Sequence, residues 1–270
     1  MRNKIATLLH HLVSLTVAAT FLLPLVWTIA ASLRPAGLPP PLAIEWIPAS
    51  PTLDNYARIF EILPFARYTF NSLLVALTGV LLTLVTASWA GFGMSLLGKR
   101  ARFRLLILSI LLQMIPFTAL WLSRFLLFAR LGITNSYFSL IAPALMGTSP
   151  LFVLLFYWTF RRTDRAVFES AELDGANLFQ TWWRVALPLA RPALMAVTLL
   201  SFLFYWNDFI TPMIYLRSQT LYTLPVGLLH LQQMDRTNWP LLMAAAVLMT
   251  VPAVVMFAAL QRSVLWWESE

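Results

Sequence analysis

The sequence predicts an all-α polytopic membrane protein with six transmembrane helices and a cytoplasmic two-helix hairpin between the fourth and the fifth. Three observations carry that prediction. Hydrophobic residues fill 60% of the 270 positions and charged residues only 11%, against roughly 45–50% and about 25% in soluble domains. The apolar residues gather into runs near the roughly 20 residues that a helix needs to cross a bilayer. Most of the 19 Lys and Arg sit in short segments between those runs. In a soluble chain the net charge of +8 would suggest nucleic acid. Here membrane orientation accounts for it, and no nucleic-acid partner is expected. The absence of cysteine excludes disulfides and thiol chemistry. His10, His11 and His230 have no ligand spacing and no carboxylates nearby in sequence, so no metal site is expected.

Taken in order, the whole chain 1–270 reads as a single transmembrane domain. The first apolar run, 12–33, follows Arg2 and Lys4. It exceeds the roughly 7–15 apolar residues of a signal peptide and reads as a retained helix. Residues 34–67 carry Pro35, Pro39, Pro40, Pro41, Pro48 and Pro51, which rule out a continuous helix. With a short amphipathic helix over 52–60, this segment reads as an external loop along the membrane face. The second run, 70–97, ends in Lys99, Arg100, Arg102 and Arg104. The third, from Leu105 to Leu122, contains Gln113 and Pro116, and the proline should kink or break it. Residues 123–136 form an outer connection. The fourth run, 137–160, is interrupted by Pro143, Gly147 and Pro150. A polar stretch over 161–191 follows, then a fifth run over 193–214 and a loop over 215–238. The sixth run, 239–261, opens at Trp239 and closes at Arg262, with Trp266 and Trp267 at the far interface.

Six spans put both termini on one side of the membrane. The segments on that side hold 12 Lys and Arg; those on the other hold 7 over a greater length. The positive-inside rule therefore places both termini and 161–191 of this multi-pass protein in the cytoplasm.

The polar stretch is the most structured of the connections. Asp164 is suited to cap a helix running to Leu173. Gly175 can take the left-handed conformation that ends it. Asn177 and Gln180 are spaced as a capping box for a second helix, and Pro188 and Pro192 punctuate the return to apolar sequence. Ser170 and Ala171 are small enough to admit another surface, and Glu169 offers it a charge. Trp182, Trp183, Val185 and Leu187 are placed to pin the second helix to the bundle.

Two further stretches need weighing. Gly93 to Lys99 matches the start of a phosphate-binding loop, but Arg100 stands where the Mg²⁺-binding Ser or Thr belongs, and the stretch ends an apolar helix. No nucleotide site is expected. Asp208 is the informative charge inside a span, because a carboxylate at mid-membrane costs roughly 2.5–3.5 kcal/mol on insertion scales and must face protein or water. With Tyr205, Trp206 and Asn207 it makes a polar, aromatic cluster suited to the hydroxyls and ring faces of a sugar. The same cluster is equally compatible with a network that locks helices or a partner subunit together. Gln113, Asn71 and Ser72 are further candidates for the same pathway.

The sequence Glu169-Ser170-Ala171, then Gly175, then Val185-x-Leu187-Pro188 resembles the EAA loop of bacterial ABC importer permeases, with Ser170 in place of Ala and Val185 in place of Ile. Asp174-Gly175-Ala176 is similar to the D-G-A of the carbohydrate subgroup. Trp206-Asn207-Asp208-Phe209 with Pro212, Thr223 to Leu228, Ser32 to Pro35, Asn55-Tyr56, Asn71-Ser72 and Ile115-Pro116 are similar to segments of the maltose-type "G" permeases. Two features depart from the family: the proline that usually precedes the Glu, and the small-residue C-terminal tail.

The resemblance implies a permease subunit of a sugar-importing ABC transporter. Its implied partners are a second homologous permease, two ATP-binding subunits, an extracytoplasmic solute-binding protein and membrane lipid. It implies that Glu169, Ser170, Ala171, Asp174, Gly175, Ala176, Val185, Leu187 and Pro188 couple to an ATPase. Tyr205, Trp206, Asn207, Asp208, Gln113 and Asn71 are the expected substrate pathway. The chain itself is expected to be no enzyme and to bind no cofactor, ATP and Mg being used by the ATPase. The alternatives are a glycerol-phosphate or polyol importer and, in another class, a membrane-embedded enzyme or a scaffold.

Overall fold

Every regular element among the described residues is helical. The structure is a computed structural model describing residues 2–265, with side chains described for 7–261; Trp266 and Trp267 lie outside them. Four helices are long and apolar enough to cross a membrane: Thr7–Ser32, Phe65–Leu96, the interrupted Tyr137–Arg162 and Trp239–Gln261. Two bent pairs raise the number to six if each is one span: Lys99–Met114 with Phe117–Arg130, bent by 87°, and Leu178–Leu189 with Arg191–Trp206, bent by 84°.

The expected third span, Leu105 to Leu122, is therefore not one straight helix. Pro116 lacks the N–H of an interior helical residue and disfavours helical backbone in the residue before it. Ile115 is accordingly extended, at φ −74° and ψ 117°. The chain turns at this point and continues helical to Arg130, into residues expected to be a connection. The fifth run also breaks: the Arg191–Trp206 helix stops, residues 207–209 are irregular, and Ile210–Tyr215 resumes. The expected loop 215–238 contains a helix, Leu224–Met234, with Pro225 in its first turn, where the missing N–H is harmless. Pro24 and Pro252, by contrast, stand inside continuous helices.

The residues group into two compact units, 1–66 with 227–252, and 67–226 with 253–270. In the first, Asn55 is fully buried and its amide donates to the carbonyls of Ser32 at 2.9 Å and Arg34 at 2.7 Å. It thereby takes up carbonyls orphaned at the end of the first helix. The Ser32 and Tyr56 hydroxyls share a hydrogen bond at 2.7 Å. The helix carrying Asn55, Asp54–Ile62, buries Ile59 on the same side.

In the second unit the Phe65–Leu96 helix is the common wall. Glycines let its neighbours come close, as small residues do between membrane helices. A Cβ at Gly91 would stand 2.8 Å from the Phe156 Cβ and 2.8 Å from the Tyr157 backbone nitrogen. A Cβ at Gly79 would stand 2.6 Å from the Tyr205 ring. Around this wall Phe92, Phe152, Phe156, Phe160, Phe168, Trp182 and Ala186 form one buried core.

Candidate functional site

Two places in the second unit gather the residues singled out by sequence. The first is the polar stretch. The Arg165–Leu173 helix begins where the Asp164 carboxylate accepts from the Ala166 N–H at 3.1 Å. It ends in a paired turn: the Ala176 N–H donates to the Ala171 carbonyl and the Gly175 N–H to the Glu172 carbonyl, both at 3.0 Å. That pattern needs a left-handed residue in the turn, and Gly175 supplies it at φ +83°. The second helix opens with reciprocal bonds, Asn177 N–H to the Gln180 side-chain oxygen and Gln180 N–H to the Asn177 side-chain oxygen, each at 2.9 Å.

One side of this two-helix loop is greasy and fixed. Trp182, 3% exposed, meets Trp89 edge-on at 5.0 Å between ring centroids. Ala186 is buried, and Val185 and Leu187 pack against the same core. Trp183 does not join them: at 57% exposed it faces outward. Sequence reasoning missed Phe168, which is 5% exposed and meets Phe92 edge-on at 5.5 Å, anchoring the first helix. Its signal was present in the sequence, since Phe168 and Ala171 are three apart and share a helical face. A π-helical turn over Thr181–Ala186 was also not foreseen.

The other side is presented to solvent. Glu169 is 57% exposed and pairs with Arg165 at 2.8 Å, one helical turn away. Ser170, Asp174 and Gly175 are exposed, Ala171 and Ala176 half-buried, and Pro188 exposed. Leu173, at the tip, is 90% exposed.

The second place is a cavity of about 330 Å³ lined by Phe117, Trp121, Phe204, Asn207, Asp208 and neighbours. Both broken helices open onto it: the break at Pro116 contributes Phe117, and the break after Trp206 contributes Asn207 and Asp208. Irregular backbone at membrane depth is tolerated only where it is buried or lines an aqueous cavity. The Asp208 Oδ1 accepts from the Thr211 N–H at 3.1 Å, holding the restart of the chain. The Asn207 amide donates to the Leu203 carbonyl at 3.0 Å. The Arg124 guanidinium lies 4.7 Å over the Phe117 ring, a cation near the cavity wall.

The remaining pathway residues divide. The buried Tyr205 exchanges a hydrogen bond with Thr148 at 2.7 Å, and Thr148 is bonded in turn to Thr83. The buried Trp206 stacks on Phe202 at 5.6 Å. Gln113 accepts from the Ser149 hydroxyl at 3.2 Å. Asn71 commits its amide to the carbonyls of Thr220 and Tyr222, and the Ser72 hydroxyl accepts from the Leu224 N–H at 2.7 Å. These last two hold the segment before the Leu224–Met234 helix. Only Asn207 and Asp208 of the six line the cavity.

Residues 79–264 match the model of the binding-protein-dependent transport system inner membrane component family. The chain belongs to that family. An inner-membrane component of this kind is what the resemblance of the Glu169–Pro188 motif implied. Relatives include the arabinooligosaccharides transport system permease protein of Halalkalibacterium halodurans, 30% identical over 97% of this chain and 95% of that protein. The trehalose/maltose transport system permease protein of Thermococcus litoralis is 30% identical over 92% of this chain and 90% of its own. In fold, the inner-membrane component matches a chain of a bacterial ABC transporter that imports the acidic polysaccharide alginate, with a TM-score of 0.75 at 19% identity over 97% of each chain.

Proposed function

We propose that the chain is the permease subunit of an ATP-driven oligosaccharide importer, with the 164–189 loop as its coupling element. The observation that carries this reading is the loop's two-sidedness. Phe168, Trp182 and Ala186 root it in the core, while Glu169, Ser170, Leu173 and Asp174 stand outside on a capped, rigid turn. A push on that outer face moves a lever tied to the Phe65–Leu96 and Pro150–Arg162 helices. The full set Glu169, Ser170, Ala171, Asp174, Gly175, Ala176, Val185, Leu187 and Pro188 then divides by role. The first six form the docking face and hinge; Val185 and Leu187 form the root, and the exposed Pro188 closes the loop.

The partners are a homologous permease, two ATP-binding subunits that use the ATP and Mg, and an extracytoplasmic binding protein. Taking Arg191–Trp206 as the membrane arm of the fifth span leaves six spans with the loop and both termini on one side, which the excess of Lys and Arg there makes cytoplasmic. Nucleotide binding shifts the permease between inward and outward access only through its differential affinity for the two states. The cargo passes the cavity lined by Phe117, Trp121, Asn207 and Asp208. Transporter sites form where discontinuous helices meet, and aromatic faces beside a carboxylate and an amide suit a sugar. The named cargoes of the two 30%-identical relatives support that class. A phosphorylated solute has one observation in its favour, Arg124 over Phe117, but Asp208 offsets that charge; nothing favours a neutral polyol over a sugar.

The test is a pull-down of the chain from its host membranes in gentle detergent, beside a Glu169→Lys variant. Recovery of an ATP-binding subunit and a second permease, with the ATP-binding subunit lost in the variant, is the expected result. Equal recovery of that subunit by both forms sinks the docking role of Glu169.

A further inference from the structure

A small pocket behind the first helix of the polar loop concentrates positive charge. The end of the Phe65–Leu96 helix, the start of Lys99–Met114, the end of Pro150–Arg162 and the start of Arg165–Leu173 meet there around about 60 Å³. Its polar lining is Ser95, Arg102, Arg161, Thr163 and Arg165, beside an apolar floor that includes Leu97 and Phe168. The hydroxyls have spent their protons, Ser95 on the Phe92 carbonyl at 2.7 Å and Thr163 on the Thr159 carbonyl at 3.3 Å. The three guanidiniums are the donors that remain.

One carboxylate among the described residues, Glu169, pairs with any of the three. Among the described residues Arg102 and Arg161 form no ion pair, and Arg165 pairs only with Glu169 on its exposed side. The Asp164 carboxylate caps its own helix. The start of Lys99–Met114 makes the imbalance worse. Its N-cap, Gly98, gives no side-chain cap and its first turn holds no acid; Lys99, Arg100 and Arg102 crowd it instead. A helix N-terminus already carries partial positive charge, so cations stacked on it call for an anion.

We infer that this pocket binds the phosphate group of an anionic phospholipid. The volume suits a single phosphate, and guanidiniums grip phosphate oxygens with paired N–H bonds. The position favours lipid over a soluble anion: it lies at the ends of apolar membrane helices, where basic clusters meet anionic headgroups, and its floor is apolar. A phosphate there competes with Glu169 for Arg165. Bound lipid therefore releases Glu169 toward its partner; this consequence rests on the coupling reading, whereas the site itself does not.

The experiment uses the full chain, purified alone in detergent and titrated with phosphatidylglycerol or phosphatidylcholine of matched acyl chains, with adducts counted by native mass spectrometry. Phosphatidylglycerol is expected to be retained over phosphatidylcholine. Arg102→Gln should weaken it roughly fivefold, and Arg102→Gln with Arg161→Gln roughly 25-fold, at about fivefold per charge near a membrane surface. Arg130→Gln, outside the pocket, should change nothing. The single variant keeps the test standing if the double fails to fold. Unchanged phosphatidylglycerol adducts in Arg102→Gln, or no preference over phosphatidylcholine, overturn the site. Displacement of phosphatidylglycerol by inorganic phosphate overturns the lipid assignment in favour of a soluble anion. No ATP-binding subunit is present in this titration, so its outcome does not depend on the coupling reading; a chain that holds the lipid here yet recovers no such subunit in the membrane pull-down refutes the coupling reading and leaves the site intact.

Discussion

Replacing Gly175 separates backbone geometry from crowding. A Cβ at this position meets nothing within 4 Å, so every cost there is conformational. The residue sits at φ +83°, and a left-handed residue other than Gly costs about 1–2 kcal/mol. Gly175→Ala should therefore favour opening of the turn by roughly tenfold, since about 1.4 kcal/mol is tenfold. Asn tolerates this region better, so Gly175→Asn falls between Gly and Ala. Proline is locked near φ −65° and has no N–H, so Gly175→Pro forfeits both the turn and the bond from Gly175 to the Glu172 carbonyl. Its cost is about 3 kcal/mol or more, in the range of an interior helix proline. Opening reads out as limited proteolysis at residues 173–177 of the purified chain, which tracks the open population when closing is fast. The expected order of cleavage rate is Gly, Asn, Ala, Pro, and uptake by the assembled transporter should fall in the same order. Equal rates for Ala and Pro would refute the left-handed turn as the hinge of the loop.

Glu169→Lys should abolish uptake while the chain stays inserted, because its exposed pair with Arg165 is worth only about 0.3–0.5 kcal/mol to the helix; uptake assays beside a membrane-insertion blot check this. Phe168→Ala should lower the stability of the purified chain by about 3–5 kcal/mol, read as a fall in melting temperature, because it empties the contact with Phe92. Gly91→Ala should destabilise by about 1–3 kcal/mol through overpacking on Phe156 and Tyr157. Gly93→Ala, with open space around it, should be neutral or stabilising, and thermal melts of the pair test the close approach. Asp208→Asn retains an acceptor for the Thr211 N–H but not the charge; uptake should fall with assembly intact, and full uptake would reduce Asp208 to a cap.

What sequence made legible was what is local. The caps at Asp164 and Asn177 and the turn at Gly175 involve partners two to five residues apart, so spacing alone places them. Apolar runs located the long helices for the same reason. What was hidden depends on distant partners. Asn71 reads as a polar residue in a span, yet it serves the carbonyls of Thr220 and Tyr222, about 150 residues on. The Leu224–Met234 helix hid behind Pro225, a breaker in mid-helix but harmless in a first turn. Proline shows the limit most clearly: Pro24 and Pro252 interrupt no helix, whereas Pro116 turns the chain by 87°. The residue is the same, so the outcome belongs to the surroundings. At Pro116 the turned chain gains Phe117 against Phe204 at 5.7 Å and Arg124 over Phe117.

The same reasoning joins the two places to which we assign function. A helix broken at membrane depth leaves backbone groups unserved, and each unserved group in hydrocarbon is costly. The two breaks in one unit, at Pro116 and at Asn207–Phe209, both face one pocket. Arg191–Trp206, the helix that ends in the second break, begins where the proposed coupling loop ends, at Ala190, which is buried in the same core as Trp182 and Ala186. A displacement of the loop's root is thus applied to one end of a 16-residue helix whose other end carries Asn207 and Asp208. At 1.5 Å per residue that helix is about 24 Å long, so a tilt of only a few degrees at Ala190 moves the cavity wall by an ångström or more. A coupling loop on a flexible tether would lose that motion. On the coupling reading, the caps, the paired turn at Gly175 and the buried anchors Phe168 and Trp182 are what make the lever stiff.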